Sequence, residues 1–273
     1  MPAFDVAAGA GMIDALTALS MAAAAAIRRL SRDSGLRIKA DGSPVTAADE
    51  TADRIIRDGL SRLAPALPII SEEHASRDKT TINAPSYFLV DPLDGTREFI
   101  AGSDEYTVNI AIVSDGAPIL GVIAAPVLGL IWRGIVGRGA ERLKFSEGTA
   151  SAPEAVHTRA RPPGELIVMV SRSHLDERTQ AYLNGLPHTQ RIGCGSSLKF
   201  CRLAEGAADH YPRLGPTRDW DVAAGHALLV AAGGSVIDRD GAELAYGTPE
   251  LRIPAFLAWG SPAPTEGAHK SGY

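Results

Sequence analysis

Apolar residues in the first part of the chain recur at helical spacing. The pattern predicts a long first helix that ends at Gly35, because glycine suits the position just past a helix C-terminus. A second helix is predicted to begin at Thr46, since Thr46-Ala-Ala-Asp49 resembles a capping box. Pro65 and Pro68 close this helix, because proline cannot continue it.

Short apolar runs follow, and the second half of the chain alternates strands with helices. The predicted strands are 68–71, 87–91, 106–113, 119–124, 130–136, 166–171, 190–193, 235–237 and 255–259. The predicted helices are 174–183, 196–204 and one that runs from Asp219 to Gly234. Asp115-Gly116 is typical of a hairpin turn. Helices stacked on mixed sheets predict a layered α/β or α+β sandwich.

The chain offers one candidate boundary between lobes. The polar stretch 146–155 predicts a division near residue 150. It gives an N-terminal α+β lobe over 1–150, a C-terminal α/β lobe over 151–260 and a tail over 261–273 that we expect to be mobile.

Composition narrows the class of protein. The 273 residues are 45% hydrophobic and 22% charged, as in ordinary globular proteins. A net charge of −5 argues against nucleic acid as a partner. The longest uncharged apolar run, 118–132, is broken by Gly121, Pro126 and Gly129, so we expect no transmembrane segment. With two cysteines and no secretory signal we expect a cytoplasmic protein, and weak attachment to the inner face of a membrane is left open.

The densest chemical signal is a pair of acidic motifs at strand ends. Ser71-Glu72-Glu73 and Asp91-Pro92-Leu93-Asp94-Gly95-Thr96 each begin where an apolar run stops. Four carboxylates that converge there repel one another unless a cation neutralises them. All the candidate ligands, the Leu93 carbonyl included, are oxygen atoms, which favours a hard ion such as Mg²⁺ over zinc.

Each motif taken alone is equally typical of a surface turn or a solvated strand end. Asp-Gly occurs five times in the chain and is a common turn dipeptide. The interpretation as a site depends on both motifs occurring together, with Asp49 upstream and Asp219-Trp220-Asp221 downstream. Asp219 is expected to cap the last long helix. The sequence lacks a Gly-Lys-Ser/Thr phosphate loop, a Gly-x-Ser-x-Gly elbow and a His-Glu-x-x-His motif.

Four motifs together resemble those of a known superfamily, the Mg²⁺-dependent, lithium-sensitive phosphatases of the inositol monophosphatase superfamily. They are 44–49, 71–73, 91–96 and 220–225. Within it the chain is most similar to the bacterial 3'(2'),5'-bisphosphate nucleotidases. The stretches that carry this likeness are 97–99, 105–110, 171–174, 195–201 and 211–213.

The resemblance implies a five-layer αβαβα sandwich and assigns roles to residues. The implied metal ligands, for two or three Mg²⁺ ions, are Glu72, Asp91, the Leu93 carbonyl, Asp94 and Asp221. The implied catalytic residues are Asp49 and Thr96, which orient and deprotonate the attacking water, and Glu72, which helps through the first metal ion. The implied substrate contacts are Leu93, Asp94, Gly95, Thr96, His174, Ser197, Lys199, Arg213 and Asp221.

The expected activity is removal of the 3'-phosphate from adenosine 3',5'-bisphosphate, a by-product of sulfate assimilation, to give AMP and phosphate. One alternative is an inositol monophosphatase or a general sugar-phosphate phosphatase on the same scaffold. An alternative of another class is a non-catalytic regulator that binds Mg²⁺ or a nucleotide. The partner in each case is a small phosphorylated molecule, and the protein is expected to be a monomer or a homodimer.

Overall fold

The computed structural model describes residues 9–74, 84–146, 148–173 and 175–262. Its helices are α1 (Gly9–Arg29), α2 (Ala47–Leu63), α3 (Thr96–Ile100), α4 (Glu177–Gly185), α5 (Leu198–Ala204) and α6 (Asp219–Ala231). The strands up to the middle of the chain are β1 (Arg37–Ile38), β2 (Pro44–Val45), β3 (Ile69–Ser71), β4 (Ser86–Asp94), β5 (Thr107–Ser114), β6 (Ala117–Ala125), β7 (Leu130–Ile135), β8 (Gly139–Ser146) and β9 (Thr149–Ala150). The later strands are β10 (Glu154–Val156), β11 (Leu166–Ser171), β12 (Thr189–Cys194), β13 (His210–Arg213), β14 (Thr217–Arg218), β15 (Ser235–Ile237), β16 (Arg252–Ile253) and β17 (Phe256–Trp259).

Two large sheets organise these strands. The first has the order β10-β8-β7-β6-β5-β4-β3, with β9 paired to β8. Its neighbours are antiparallel except β3 and β4, which run parallel and so end at the same edge. The second sheet has the order β12-β11-β13-β17-β15, with β11 parallel to both β12 and β13. Short ladders join β1 to β2 and β14 to β16.

Side chains of the first sheet point alternately to its two faces along each strand. Phe88 and Ile110 belong to one face, where they share a core with Leu16 and Ile27 of α1 and Ile56 of α2. Every second residue points to the opposite face, because side chains alternate along a strand. The helices α1 and α2 therefore form the outer layer on one side of this sheet.

The opposite face of the first sheet packs on α5 and α6. Leu89 and Trp132 share a core there with Phe200 of α5 and Leu228 of α6, and this core continues to Phe256 of the second sheet.

Beyond the second sheet, α4 closes the fold. Leu183 of α4 packs against Val168 and Leu257 on the outer face of that sheet. The layers thus run helix, sheet, helix, sheet, helix, and the predicted αβαβα sandwich is confirmed.

Helix boundaries follow the local hydrogen bonds. As predicted, Thr46 caps α2: its hydroxyl accepts from Ala48 N, and Asp49 completes the capping box. The first helix ends at Arg29, well before the predicted end at Gly35. Polar residues explain this difference: the Ser31 hydroxyl donates to Asp33 at 2.5 Å, and side chains of this kind compete with the helix for hydrogen bonds.

The later helices also begin differently from the prediction. The Asp176 carboxylate accepts from the amides of Arg178 and Thr179, so α4 starts at Glu177 rather than at residue 174. His174 itself lies outside the described residues. The strands β8 and β10 were not predicted, because charged residues interrupt their short apolar pattern.

The division near residue 150 stays a prediction. The strand β10, which follows residue 150, pairs with β8 in the first sheet. The helix α6 packs between the two sheets. Of the tail over 261–273, only Ser261 and Pro262 are among the described residues.

The helix α1 is apolar as well as long. The segment Gly11–Arg29 has a mean hydropathy of 1.3, and by length and composition it is able to cross a membrane. Its residues Ile13, Leu16, Ala24 and Ile27 are buried against α2 and the first sheet. In total 39% of the segment is buried inside the fold.

Two glycines let α6 approach the first sheet closely. A Cβ atom at Gly121 of β6 would lie 2.2 Å from the Ala224 carbonyl oxygen, and one at Gly134 of β7 would lie 2.8 Å from Ala231 Cβ. Neither backbone can yield easily, because both belong to regular elements within the core.

We therefore predict that Gly121→Ala lowers the free energy of unfolding by about 3 kcal/mol, as overpacking of a rigid core does. Urea denaturation of the wild type and the variant measures this. Gly11→Ala is the matched control, since a Cβ atom there meets nothing within 4 Å. The control should change stability by less than about 1 kcal/mol. Equal effects of the two substitutions would contradict the close approach of α6.

Candidate active site

A cleft of about 1470 Å³ opens at the edge of the first sheet where β3 and β4 end. The N-terminal end of α6 and the β1–β2 hairpin form other parts of its wall. Sequence analysis placed the acidic motifs at these strand ends. The site is built where the topology brings distant segments together.

Three carboxylates converge in this cleft. Glu72 follows β3, Asp91 lies in β4, and Asp221 lies in the first turn of α6. One oxygen from each lies within 4.8 Å of the others. The parallel pairing of β3 and β4 accounts for the first two, since Ser71 is in register with Val90.

Burial and mutual repulsion work against ionisation of this group. Burial raises the pKa of Glu72 to about 7, opposed by Lys39 and reinforced by Asp221. The pKa of Asp91 is raised well above its ordinary value, first by burial and then by Glu72 and Asp94. The charged cluster is therefore unfavourable by itself.

A single lysine provides part of the compensation. Lys39 Nζ lies 2.7 Å from Glu72 Oε1 and 2.8 Å from Glu73 Oε1. One ammonium group cannot balance the carboxylates around it. The excess negative charge and the all-oxygen donor set fit a hard divalent cation, because Mg²⁺ prefers carboxylate and carbonyl oxygens.

Asp94 lies beside this cluster at the end of β4. Its pKa is raised by burial and by Asp221. The register with β5 shifts between Asp91 and Asp94, so a bulge carries Pro92 and Leu93. The strand was predicted to end at Asp91 but continues to Asp94, because proline, which lacks an N–H donor, is tolerated in a bulge.

Asp49 and Thr96 meet next to the bulge. The Thr96 hydroxyl donates to Asp49 Oδ1 at 2.9 Å and also lies 3.2 Å from the Leu93 carbonyl oxygen. Asp49 Oδ2 accepts from the Thr46 backbone N–H at 2.8 Å and from its hydroxyl at 2.6 Å. The fold thus joins α2 to the start of α3 by a buried carboxylate.

The opposite wall of the cleft carries Ser197, Lys199 and Arg213. The amide and hydroxyl of Ser197 donate to Asp94 Oδ2 at 2.6 and 2.7 Å. Burial by itself would lower the pKa of Arg213, and the nearby Tyr211 and Asp221 raise it. Cationic side chains therefore face the acidic strand ends across the cleft. His174, the other predicted substrate contact, lies outside the described residues.

A model of the inositol monophosphatase family matches residues 8–269 of the chain. The chain belongs to the inositol monophosphatase family. Among its relatives is the 3'(2'),5'-bisphosphate nucleotidase CysQ of Shigella flexneri, 47% identical over 209 residues, which are 76% of this chain and 81% of the relative. The corresponding protein of Buchnera aphidicola is 40% identical over 238 residues, 86% of this chain and 87% of the relative.

Solved structures of the family agree with the fold. CysQ from Bacteroides thetaiotaomicron superposes with a TM-score of 0.74 at 31% identity, over 91% of this chain and 97% of that one. Inositol monophosphatase from Anabaena superposes with a TM-score of 0.71 at 24% identity, over 92% of this chain and 90% of that one, and shows the fold alone. The resemblance found in the sequence motifs is confirmed, while the roles of individual site residues stay predictions.

One capping prediction for this family member is wrong. Asp219 is the first residue of α6 and not its cap. Asp221 instead accepts from the Arg218 amide at 3.0 Å, because a carboxylate three residues into a helix reaches back to the residue before it. Asp219 Oδ2 accepts from the Gly247 amide at 2.8 Å, which ties α6 to the following loop.

Two neighbours of the cluster have no individual role among those that the resemblance implies, although Glu73 is one of the four converging carboxylates. Glu73 shares Lys39 with Glu72. Asn109 lies in β5, where its side-chain oxygen is 2.8 Å from the Ser197 hydroxyl oxygen. An amide side chain inside the apolar run 107–114 is the signal that marks it, since buried polar groups require partners.

The raised pKa of Glu72 predicts how the stability of the metal-free protein depends on pH. Its pKa is about 7 in the folded protein against an ordinary 4.5. The folded state thus binds the proton more tightly than the unfolded state. Proton binding at Glu72 therefore adds to the free energy of unfolding at low pH, and this stabilisation is lost as the pH rises through 7. In EDTA the free energy of unfolding should fall between about pH 5 and about pH 8.

Urea denaturation across this pH range measures the effect, and Glu72→Gln should flatten part of the decline. Saturating Mg²⁺ should reverse the trend, because a cation binds the ionised carboxylates. A stability that rises with pH in EDTA would show that the carboxylates do not repel one another as described.

Proposed function

We propose that this protein is a Mg²⁺-dependent phosphatase that removes the 3'-phosphate of adenosine 3',5'-bisphosphate, giving AMP and phosphate. The observation that carries the proposal is the convergence of Glu72, Asp91 and Asp221 opposite the cations Lys199 and Arg213. A bisphosphate needs both: a metal for the phosphate that reacts and fixed cations for the one that does not. The relatives named as 3'(2'),5'-bisphosphate nucleotidases support the same substrate.

The residues proposed to hold two or three Mg²⁺ ions are Glu72, Asp91, the Leu93 carbonyl, Asp94 and Asp221. When bound, these ions supply charge neutralisation at the phosphate, a lowered pKa of water and stabilisation of the leaving alkoxide. The bulge at Pro92 supports this assignment, because it turns Asp91 and Asp94 out of strict alternation and leaves the Leu93 carbonyl outside regular pairing.

Thr96 and Asp49 are proposed to orient and deprotonate the attacking water. The Thr96 hydroxyl proton is directed at Asp49, so the lone pairs of Thr96 remain to accept a proton from water. As the Thr96 oxygen takes a proton from water, the Thr96 hydroxyl proton passes to Asp49, which is 2% exposed and is held in place by Thr46. Glu72 is proposed to assist through the Mg²⁺ ion that it would help to hold.

The start of α3 is proposed to hold the reacting phosphate through the amides of Gly95 and Thr96. Gly95 has a φ of +96°, and a Cβ atom there would lie 3.3 Å from the Glu105 carbonyl oxygen. Glycine therefore permits both the backbone conformation and the close packing at this point.

Ser197, Lys199 and Arg213 are proposed to hold the nucleotide and its second phosphate, together with His174 from the sequence prediction. Lys199 is buried, with Nζ 3.1 Å from the Cys194 carbonyl oxygen and 2.6 Å from that of Ser196. An ammonium group fixed in this way is a preorganised point charge. Asp221 lies near Arg213, which places that guanidinium beside the metal ligands.

An assay must distinguish the proposed activity from two alternative functions. An inositol monophosphatase or general sugar-phosphate phosphatase would use the same carboxylates without needing Lys199 and Arg213. A non-catalytic regulator would be free to lose Asp49 or Thr96, and both are present and hydrogen-bonded to each other. We place the enzyme in the cytoplasm, acting on a by-product of sulfate assimilation, as a monomer or homodimer.

The first test is phosphate release from adenosine 3',5'-bisphosphate and inositol 1-phosphate, each with Mg²⁺ and with EDTA. We expect a Mg²⁺-dependent preference for the bisphosphate of at least roughly a hundredfold in kcat/KM, about 2.7 kcal/mol. A preference for inositol phosphate would leave the metal site in place and overturn the substrate. Absence of turnover on both would favour the regulator.

A second test addresses the two cations. Lys199→Met and Arg213→Met should each lower kcat/KM for the bisphosphate by roughly tenfold to a hundredfold, because each removes a charge from the second phosphate. Activity on inositol 1-phosphate should change by less than about threefold. Lys144→Met is the control, since Lys144 is exposed on β8 away from the cleft. Equal losses on both substrates would contradict the assignment.

A further inference from the structure

An ion pair lies behind the wall of the cleft. Glu105, before β5, and Arg172, after β11, form a two-point contact: Arg172 Nε lies 2.8 Å from Oε2 and Nη2 lies 2.9 Å from Oε1. Neither side chain lines the cleft. Hydrogen bonding by Arg172 lowers the pKa of Glu105, so the carboxylate is ionised at neutral pH.

The pair also holds the backbone where β12 leads into α5. Arg172 Nη2 donates to the Gly193 carbonyl oxygen at 2.8 Å. The Gly195 amide donates to Glu105 Oε2 at 2.8 Å. Two backbone groups of this turn, 193–197, are thus fixed by the two members of one ion pair.

The turn fits closely against the residues beside the proposed phosphate site. A Cβ atom at Gly195 would lie 2.6 Å from the Glu105 carbonyl oxygen and 3.1 Å from Glu98 Cγ. The next residue, Ser196, has a φ of +47°. Such a backbone persists only where its surroundings hold it, and the Glu105–Arg172 pair is part of those surroundings.

Lys199 depends on this turn for its position. Its Nζ donates to the carbonyl oxygens of Cys194 and Ser196, which flank Gly195. Movement of the Gly195 amide would therefore displace the two carbonyl groups that locate the ammonium group.

Ser197 has separate anchors. Its hydroxyl contacts Thr107 at 3.0 Å and Asn109 at 2.8 Å, both in β5, and its amide donates to Asp94. Loss of the ion pair should leave Ser197 and Asp94 in place. The Glu105–Arg172 pair therefore affects the position of the Lys199 ammonium group and not the position of the carboxylates.

From these contacts we infer that Glu105 and Arg172 are positioning residues that set the selectivity for a second phosphate by holding the turn on which Lys199 is fixed. This inference rests on the proposed function. It predicts weaker binding of the bisphosphate without loss of the chemical step, because the groups around the reacting phosphate keep their own anchors.

The variants are expected to fold. The side chains of Arg172 and Glu105 are 54% and 28% exposed, and ion pairs with this exposure contribute little to stability. Glu105→Gln keeps the side-chain size and removes the charge, and Arg172→Gln removes the charge and shortens the side chain. Arg172→Lys keeps the charge and loses the planar fork, so it should fall between wild type and Arg172→Gln.

The experiment measures steady-state kinetics with both substrates, calorimetric binding of AMP, and amide exchange at Gly195. Arg172→Gln and Glu105→Gln should raise KM for the bisphosphate about tenfold, or 1.4 kcal/mol, with kcat within about twofold. Their kcat/KM for inositol 1-phosphate should stay within about twofold. AMP should bind more weakly, and the Gly195 amide should exchange faster. Glu154→Gln is the matched control, since Glu154 pairs with Arg142 at 3.0 Å on the far edge of the first sheet.

Equal losses on both substrates would overturn the inference, because they would show a general structural role. Unchanged KM and AMP binding would overturn it while the proposed function stands. A wild-type enzyme that fails to hydrolyse the bisphosphate would overturn the proposed function, and this inference with it.

Discussion

Electrostatic repulsion among crowded carboxylates, one of them buried and two half-buried, is the constraint on which the site depends. Glu72 and Asp91 are brought together by the parallel pairing of β3 and β4, and Asp221 is added by α6. The core between the sheets supplies the free energy that holds these charges close, since apolar burial is the dominant favourable term in folding. Lys39 relieves part of the repulsion, and what remains is the driving force for binding a cation.

The cleft lies where segments distant in the chain meet. Its two walls differ in charge and in the elements that form them. One wall, at the end of β3 and β4, is acidic, and these strands are the edge strand of the first sheet and its neighbour. The other wall carries Lys199 in α5, which is fixed against the turn 193–197, and Arg213 in β13. The proposed function therefore assigns the chemistry to strand ends and the choice of substrate to side chains held by the turn and by the second sheet.

Much of this arrangement could be predicted from the sequence because its signals are local. The capping box at Thr46 and the acidic residues at the ends of apolar runs each appear within a few positions. The Pro92 bulge was not predictable, since proline usually marks the end of a strand. Nor was the contact between Glu105 and Arg172, which are 67 positions apart and have no pattern that links them. Asp219 was misassigned because two carboxylates compete for the start of α6, and only geometry decides between them.

Asp49 and Asp221 each serve a helix and the cleft at once. In Asp49 one oxygen closes the capping box of α2 and the other receives the Thr96 hydroxyl. In Asp221 one oxygen receives the Arg218 amide and leaves the other for the cleft. An asparagine at either position has only one acceptor oxygen, so it can satisfy the helix or the cleft but not both. Asp49→Asn and Asp221→Asn therefore do more than remove a charge. Each leaves one acceptor oxygen where the helix and the cleft together use two.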